Sequence, residues 1–348
     1  MKSRILLLLV LALLGSGMVS GQTRTTVTVD KIWDEGTHAA FTSLVKFNGK
    51  YYCSFREGYS HIFDAEGRAE GKVRILESKD GRKWKPVACI GKEGIDLRDP
   101  ELSVTPDGRL MVTIGGSVYR NRKLVSAIPM VCFSQDGRDF SAPQPIVMDE
   151  RAKTTHDWVW RVTWNEGVGY GVSYSEARKD TIALMSTRDG IHYNLVTKMG
   201  ISGSPSETTI RFMPDGRMLM MVRRDGGDYQ GYWAVSQPPY TQWKWEPMGF
   251  CVGGQDFVVP KGEDIILGTR TYFVPGHCKT ALFRGTIHGD WEEVYVLPSD
   301  GDTSYPGILI EKDEVWVSYY SSTEKEGKAA IYLAKLPLSL FEGENKEK

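Results

Sequence analysis

Apolar and polar positions alternate along most of the chain, and short turn sequences break the alternation at regular distances. Flanking segments come in pairs: "AFTSLVKF" with "KYYCSF", "ELSVT" with "RLMVTIG", "WRVTW" with "YGVSY", "TTIRFM" with "RMLMMV", "DFVVP" with "DIILGT", and "GILIE" with "EVWVSYY". The turns between them fall at Asn48-Gly49, Asp107-Gly108, Gly167-Val168-Gly169, Asp215-Gly216, Gly262-Glu263 and Lys312-Asp313. A period of two on both sides of a tight turn marks a β-hairpin. The turns lie about 50–60 residues apart, room for four strands each, and helical periodicity is almost absent. This pattern predicts an all-β chain folded as a six-bladed β-propeller of four-stranded antiparallel blades. The strand-like "TVTV" at 26–29 precedes the first hairpin, so it is expected to complete the last blade and close the ring without a free edge.

A second repeat runs through the chain. "SKDGRKW" (78–84), "SQDGRDF" (134–140) and "STRDGIHY" (186–193) share a serine, an Asp-Gly turn and a nearby aromatic; "SQPPYTQW" (236–243) and "GTIHGDW" (285–291) are weaker echoes. Asp and Gly suit the turn between third and fourth strands, and the aromatic suits packing between blades. These are folding elements.

Charge narrows the partners. The 43 basic and 44 acidic residues are interspersed, and no basic run suggests a nucleic-acid surface or a polybasic membrane patch. Five cysteines (Cys53, Cys89, Cys132, Cys251, Cys278) lack metal-like spacing, and their odd number leaves at least one thiol unpaired. The core, not disulfides, is expected to supply stability. Lys2 and Arg4, the apolar run Ile5 to Leu14 and small residues through Gly21 have the order of a secretory signal peptide, and the run is too short to span a bilayer. Cleavage near Gly21 would leave residues 22–348 as a single propeller domain, secreted or periplasmic, with no lipid anchor and no membrane span. No cofactor and no metal are expected, because no spaced ligand motif is present.

In a propeller each first strand starts on the face where each second strand ends, so both sets of residues surround a central mouth. The strand starts contribute His38, Arg98, Asp99, Glu101, His156, Asp157, Trp160, Glu207, Gln255, Asp256 and Tyr305. The second-strand ends contribute Arg56, Tyr174, Arg223 or Arg224, Arg270 and Tyr319. An ordinary turn rim carries Gly, Ser, Asn and Pro. This set of arginines, carboxylates, histidines and aromatics suits an anionic or heavily hydroxylated sugar, since a guanidinium meets a carboxylate bidentately. The expected partner is a glycan or oligosaccharide. Cleaving a glycosidic bond needs one group to protonate the leaving oxygen and another to attack or to activate water. Four arrangements fit: Tyr305 as nucleophile with Glu207 taking its proton, Asp99 and Glu207 as a carboxylate pair, a polysaccharide lyase using His and Tyr, or a glycan-binding mouth without chemistry. Asp99 and Glu101 are expected on one side of their strand. The plain reading of Glu207 and Arg223 is an ion pair bracing one blade.

The sequence resembles the sialidase (neuraminidase) superfamily. The repeats are similar to its Asp boxes, shortened by one residue. "ETTIRFMPDGRMLMMVR" resembles a sialidase hairpin, which implies that Glu207 is the nucleophile's partner and Arg223 a carboxylate-binding arginine. "TSYPGILIEKDEVWVSYY" resembles the final sialidase blade and implies Tyr305 as nucleophile; Arg270 in "GTRTY" would be a further arginine. The chain departs from the family in the first blade, where "AAFTSLV" replaces an Arg-Ile-Pro. The family's general acid lies in a first-blade loop, here "REGYSHIFDAEGRAEG" (56–71). Asp64 is the nearest match, and spacing does not separate it from His61, Glu66 and Glu70. The resemblance implies an exported sialidase-like exo-glycosidase acting on a terminal, acidic sugar, with Arg223 and Arg270 holding its carboxylate, and the departures fit a related exo-glycosidase acting on another sugar equally well. The mouth and the first-blade loop together offer Arg56, His61, Arg98, Glu101, His156, Arg223, Gln255, Asp256 and Arg270 for substrate binding.

Overall fold

Valines, aromatics and threonines at period two favour extended chain, and they set nearly every predicted segment into a strand. The computed structural model describes residues 26–36, 38–271, 278–325 and 328–343; the signal-peptide segment 1–21 lies outside the described residues. β1 (Thr28–Trp33) precedes β2 (His38–Phe47), β3 (Lys50–Gly58), β4 (Lys72–Ser78) and β5 (Trp84–Ile90). The next meander holds β6 (Asp96–Val104), β7 (Leu110–Arg120), β8 (Lys123–Ser134) and β9 (Gln144–Pro145). β10 (Val147–Met148) lies on the outer edge of β11 (Trp158–Asn165), β12 (Val168–Tyr174), β13 (Thr181–Thr187) and β14 (His192–Gly200). β15 (Pro205–Phe212), β16 (Met218–Arg224), β17 (Gln230–Ser236) and β18 (Glu246–Cys251) follow. Then come β19 (Asp256–Val258), β20 (Asp264–Thr271), β21 (Lys279–Thr286) and β22 (Gly289–Val296). β23 (Thr303–Glu311), β24 (Glu314–Lys325) and β25 (Lys328–Pro337) end the chain's strands, before a 3-10 turn at Leu338–Phe341.

Within each meander neighbours are antiparallel. The last meander meets the first through one parallel pair, His38 with Ala329, which makes a single eight-stranded sheet. The expected N-terminal strand begins at Thr28 and pairs antiparallel with β25. The first strands touch one another in the order β2, β6, β11, β15, β19, β23 and back to β2. Among the described residues no helix is long and apolar enough to cross a membrane.

The core lies in the seams between sheets. On β16, Leu219 and Met221 pack against Phe257 and Leu267 of the following sheet, while Met218, Met220 and Val222 pack against Leu184 and Ile182 of the preceding one. Both faces of the strand are therefore apolar, as strands covered on both sides require. All five thiols are free.

The Asp-Gly repeats tie the outer turns together. Ser78 Oγ and Ser134 Oγ each accept from the glycine N–H three residues on, at 2.9 Å, and Asp80 and Asp136 accept from the backbone beyond. In the third repeat Thr187, not Ser186, takes the serine's place, at 2.9 Å from the Gly190 N–H. The glycines also permit close packing across a seam. A Cβ at Gly137 (φ +77°) would lie 2.5 Å from the Tyr52 ring of the preceding sheet, and one at Gly81 (φ +68°) 2.2 Å from Trp316. The third predicted hairpin turn is Glu166-Gly167, both at positive φ, one residue earlier than expected.

Candidate active site

One register slip recurs at the level of the mouth. β2, β6, β11, β15 and β23 each contain one residue more than their partner strand, between Ala40 and Ser43, Arg98 and Glu101, Trp160 and Thr163, Pro205 and Thr208, and Ser304 and Gly307. Such bulges re-aim side chains. Phe41 (φ 65°), Asp99 (φ 47°) and Tyr305 (φ 49°) sit in them in the left-handed region. That conformation is costly for residues with a Cβ and concentrates at functional sites.

Glu207 and Tyr305 form the centre. Tyr305 Oη donates to Glu207 Oε1 at 2.5 Å, Arg223 Nη1 donates to the same oxygen at 2.8 Å, and the Gly254 N–H donates to Oε2 at 2.7 Å. Gly254 must be glycine here: a Cβ would lie 2.6 Å from the Tyr305 ring, and its φ is +57°. Arg223 is fixed from behind by Asp225, at 2.8 Å from Nε. The Tyr305 ring is walled by Phe41 at 4.8 Å and Trp160 at 5.8 Å, with the Arg270 guanidinium 6.0 Å from its centroid.

Burial pushes the Tyr305 phenol well up, and the negative Glu207 adds to this. Burial also pushes Glu207 up, but the Arg223 charge and the hydrogen bonds from Tyr305 and Arg223 outweigh it and hold the carboxyl below its ordinary range. The pair is thus a neutral phenol donating to a carboxylate. Asp99 differs. Burial pushes it up to about 6 against the pull of Arg98, with Glu207 reinforcing the rise. Its Oδ1 is sealed from solvent without a hydrogen-bond partner among the described residues. A cleft of about 580 Å³, lined by His156, Trp158, Tyr174, Ser206 and Asp225, opens beside Arg223; the Trp158 and Tyr174 rings stack at 6.2 Å.

No family model and no curated protein matches the sequence. Solved structures do. A protein of unknown function from Dyadobacter fermentans superposes with a TM-score of 0.72 at 20% identity, over 89% of this chain and 99% of that one. A Hadza microbial sialidase gives 0.70 at 14% identity, over 88% of this chain and 67% of that one. The α-L-arabinofuranosidase of Fusarium graminearum, solved with an iminosugar inhibitor, gives 0.66 at 15%, over 89% and 97%. The fold is that of the sialidase-like β-propeller glycosidases.

Several predicted residues are engaged by the protein itself or turned from the mouth. Arg56 is fully buried, donating to Asp96 Oδ1 at 2.8 Å and to the Ser60 carbonyl at 2.8 Å. Arg98 donates to the His61 carbonyl at 2.9 Å and lies 5.0 Å over the Phe41 ring. Both arginines hold the 58–71 loop from beneath. Asp64 closes a turn in that loop, with Arg68 Nε on Oδ2 and the Arg68 N–H on Oδ1, each at 2.7 Å. Burial raises this carboxyl, but the Arg68 bonds outweigh it and keep it below its ordinary range, a poor state for a proton donor. Glu66 and Glu70 are exposed. Arg224 turns away from the mouth to Asp228 and the Ser202 carbonyl. Tyr319 bonds the Pro298 carbonyl, and Tyr320 takes the place expected of it, 6.2 Å from the Tyr305 ring.

Glu101, Gln255 and Asp256 lie on the axis below the mouth. The bulge after Arg98 reverses the alternation, so Asp99 and Glu101 do not share a side. Gln255 Nε2 donates to the Glu207 carbonyl at 2.7 Å and so supports its backbone. Arg161, which the sequence reading passed over, joins Glu101 Oε2 at 3.3 Å and Asp256 Oδ2 at 3.1 Å, while Arg211 bonds the other Asp256 oxygen. Its signal was a lone charge inside the apolar "WVWRVTW".

Burial pushes Glu101 up to about 8, only partly offset by Arg161. The folded protein therefore holds this proton more tightly than the unfolded chain, whose carboxyl titrates near 4.5. The resulting stability is complete below about pH 4.5 and is lost as pH rises to about 8. Guanidinium unfolding of the parent across pH 5–8 should show a decline on the order of a few kcal/mol, and Glu101→Gln should flatten it.

At the rim, Asp302 was also missed. Its Oδ2 lies 2.9 Å from His38 Nε2 and 2.7 Å from His61 Nδ1, and Tyr320 Oη donates to Oδ1 at 2.7 Å.

Proposed function

We propose that the protein is an exported exo-glycoside hydrolase that removes a terminal, acidic sugar from a glycan. The cyclic order of inner strands, and the division of the eight-stranded sheet at one residue pair, support six blades. The Lys2–Gly21 pattern supports export as a secreted or periplasmic protein, with residues 22–348 as one domain.

The observation that carries the reading is the 2.5 Å hydrogen bond from Tyr305 to Glu207 in a pocket walled by two arginines. A buried phenol does not ionise unaided. Glu207 takes the proton as Tyr305 Oη bonds to the anomeric carbon and the glycosidic C–O bond breaks. Water then displaces the tyrosine, Glu207 returns its proton to Tyr305, and the proton lost by the water makes good the one taken up by the leaving oxygen in the first step. Two displacements retain the anomeric configuration. Arg223 and Arg270 offer guanidinium groups for a substrate carboxylate, and the Trp158–Tyr174 stack offers a flat wall for the rest of the glycan. A hydrolysis screen on aryl sialosides, uronides, arabinofuranosides and neutral glycosides tests this, with NMR for the anomer first formed. Turnover of an acidic glycoside with retention is expected. Saturable glycan binding without turnover of any member would establish a binding propeller instead.

Asp99 favours a second reading, in which it works with Glu207 as a carboxylate pair. In the leading reading the other carboxyl oxygen of Asp99, which is not sealed, meets a substrate hydroxyl. Asp99→Asn should then lower kcat/KM about 10–100-fold, mainly through KM, as the loss of a hydrogen bond to a charged group does. A fall in kcat of about 10³-fold or more would favour the carboxylate pair.

A further inference from the structure

We propose that His61, oriented by Asp302, protonates the leaving oxygen and then activates the attacking water. The assignment rests on the Tyr305–Glu207 reading. Asp302 accepts from His38 Nε2, His61 Nδ1 and Tyr320 Oη. A carboxylate donates nothing, so both imidazole nitrogens facing it carry protons. In His38 the remaining Nδ1 is buried without a partner among the described residues, the place for a bare lone pair, and burial holds that ring neutral. His61 has a different exposure. Its side chain is 45% accessible, and with Nδ1–H fixed on Asp302 its Nε2 is the nitrogen left for a substrate.

The position suits the task. The His61 ring stands edge-on to Phe41 at 5.1 Å, and Phe41 stands on Tyr305 at 4.8 Å, so His61 reaches the mouth one ring away from the nucleophile. Arg98 holds the His61 carbonyl, and Asp302 is held in turn by the Ser322 hydroxyl on its N–H at 2.8 Å. Asp64, the nearest of the four loop candidates to the family's acid, is closed off by Arg68. A metal does not explain the cluster as well. Ligands 2.0–2.1 Å from a tetrahedral zinc lie about 3.3 Å apart, whereas Oδ2 is at hydrogen-bonding distance from both nitrogens.

In the first step the proton on His61 Nε2 passes to the glycosidic oxygen as its bond to the anomeric carbon breaks and Tyr305 Oη takes its place. In the second, neutral Nε2 removes a proton from water. The water oxygen bonds to the anomeric carbon, the bond to Tyr305 breaks, and Glu207 returns its proton to Tyr305. Asp302 keeps the ring in one tautomer and stabilises the imidazolium, as a carboxylate behind a histidine does in hydrolases.

The test varies the leaving group on the sugar turned over in the screen. For His61→Asn, kcat/KM should fall about 10²–10⁴-fold on the methyl glycoside, with a loss under about tenfold on the 2,4-dinitrophenyl glycoside, whose phenolate leaves unprotonated. Azide should accelerate the variant on the activated substrate and yield the glycosyl azide. Asp302→Asn should show the same split with a smaller loss. Equal losses on both substrates, or none on either, would overturn the assignment. Turnover surviving in Tyr305→Phe while the His61 split persists would count against the nucleophile alone, and no turnover of any aryl glycoside would remove both.

Discussion

Glu207→Gln is expected to lower kcat by about 10²–10⁴-fold, the range lost with a general base, and Tyr305→Phe by at least as much. Each substitution keeps nearly the same volume in a pocket whose walls are Phe41, Trp160 and Arg223, so the fold should persist. The amide no longer accepts the phenolic proton at the moment of attack, and Arg223 faces a neutral group. The phenylalanine ring keeps its contacts with Phe41 and Trp160 but has no oxygen to offer. Steady-state kcat, with thermal melts to verify folding, measures both effects. Undiminished turnover in both variants would eliminate the two-step route through tyrosine.

Arg161→Met should cause the largest loss of stability. The guanidinium joins Glu101 and Asp256 on the axis, and Arg161 Nη2 also donates to the Pro306 carbonyl at 2.8 Å. Asp256 accepts the Ile308 N–H at 3.0 Å, so the same cluster ties β11, β19 and β23 together. Removing Arg161 takes one of two guanidinium partners from Asp256 and the donor from the Pro306 carbonyl, while Glu101 is already uncharged near neutral pH; the loss costs about 1–3 kcal/mol. Denaturant unfolding at neutral pH measures it. A loss under about 1 kcal/mol would show that the axis is held by backbone pairing and apolar seams rather than by this ion cluster.

Hairpins were legible because period two and tight turns are local signals. Glu207, Arg223 and Tyr305 could be placed together from strand order alone, since both ends of a hairpin follow from where its turn lies. Asp99 was reached in the same way, but its separation from Glu101 was not, because one extra residue on β6 reverses the alternation that links them. The same slip on β23, opposite β24, accompanies the exchange of Tyr319 for Tyr320 at the mouth. Arg56 looked like a substrate ligand because nothing local shows that Asp96, 40 residues on, will meet it, and Arg98 because its contact with the His61 carbonyl depends on how the 58–71 loop folds back. Phe41 and Asp302 gave no motif: Phe41 reaches the mouth through the bulge in β2, and Asp302 meets His61 because the loop 58–71 lies against the last meander. The shift from Ser186 to Thr187 was readable, since Ser78 and Ser134 both stand two residues before their aspartates.

The repeated bulges have an evolutionary consequence. A residue set aside from the ladder contributes little to strand pairing, so its side chain can be exchanged with little effect on the ring. Phenylalanine occupies one such socket here, aspartate another and tyrosine a third, on backbones that deviate in the same way. Side chains facing the mouth can therefore be changed one socket at a time while the ring that carries them is kept.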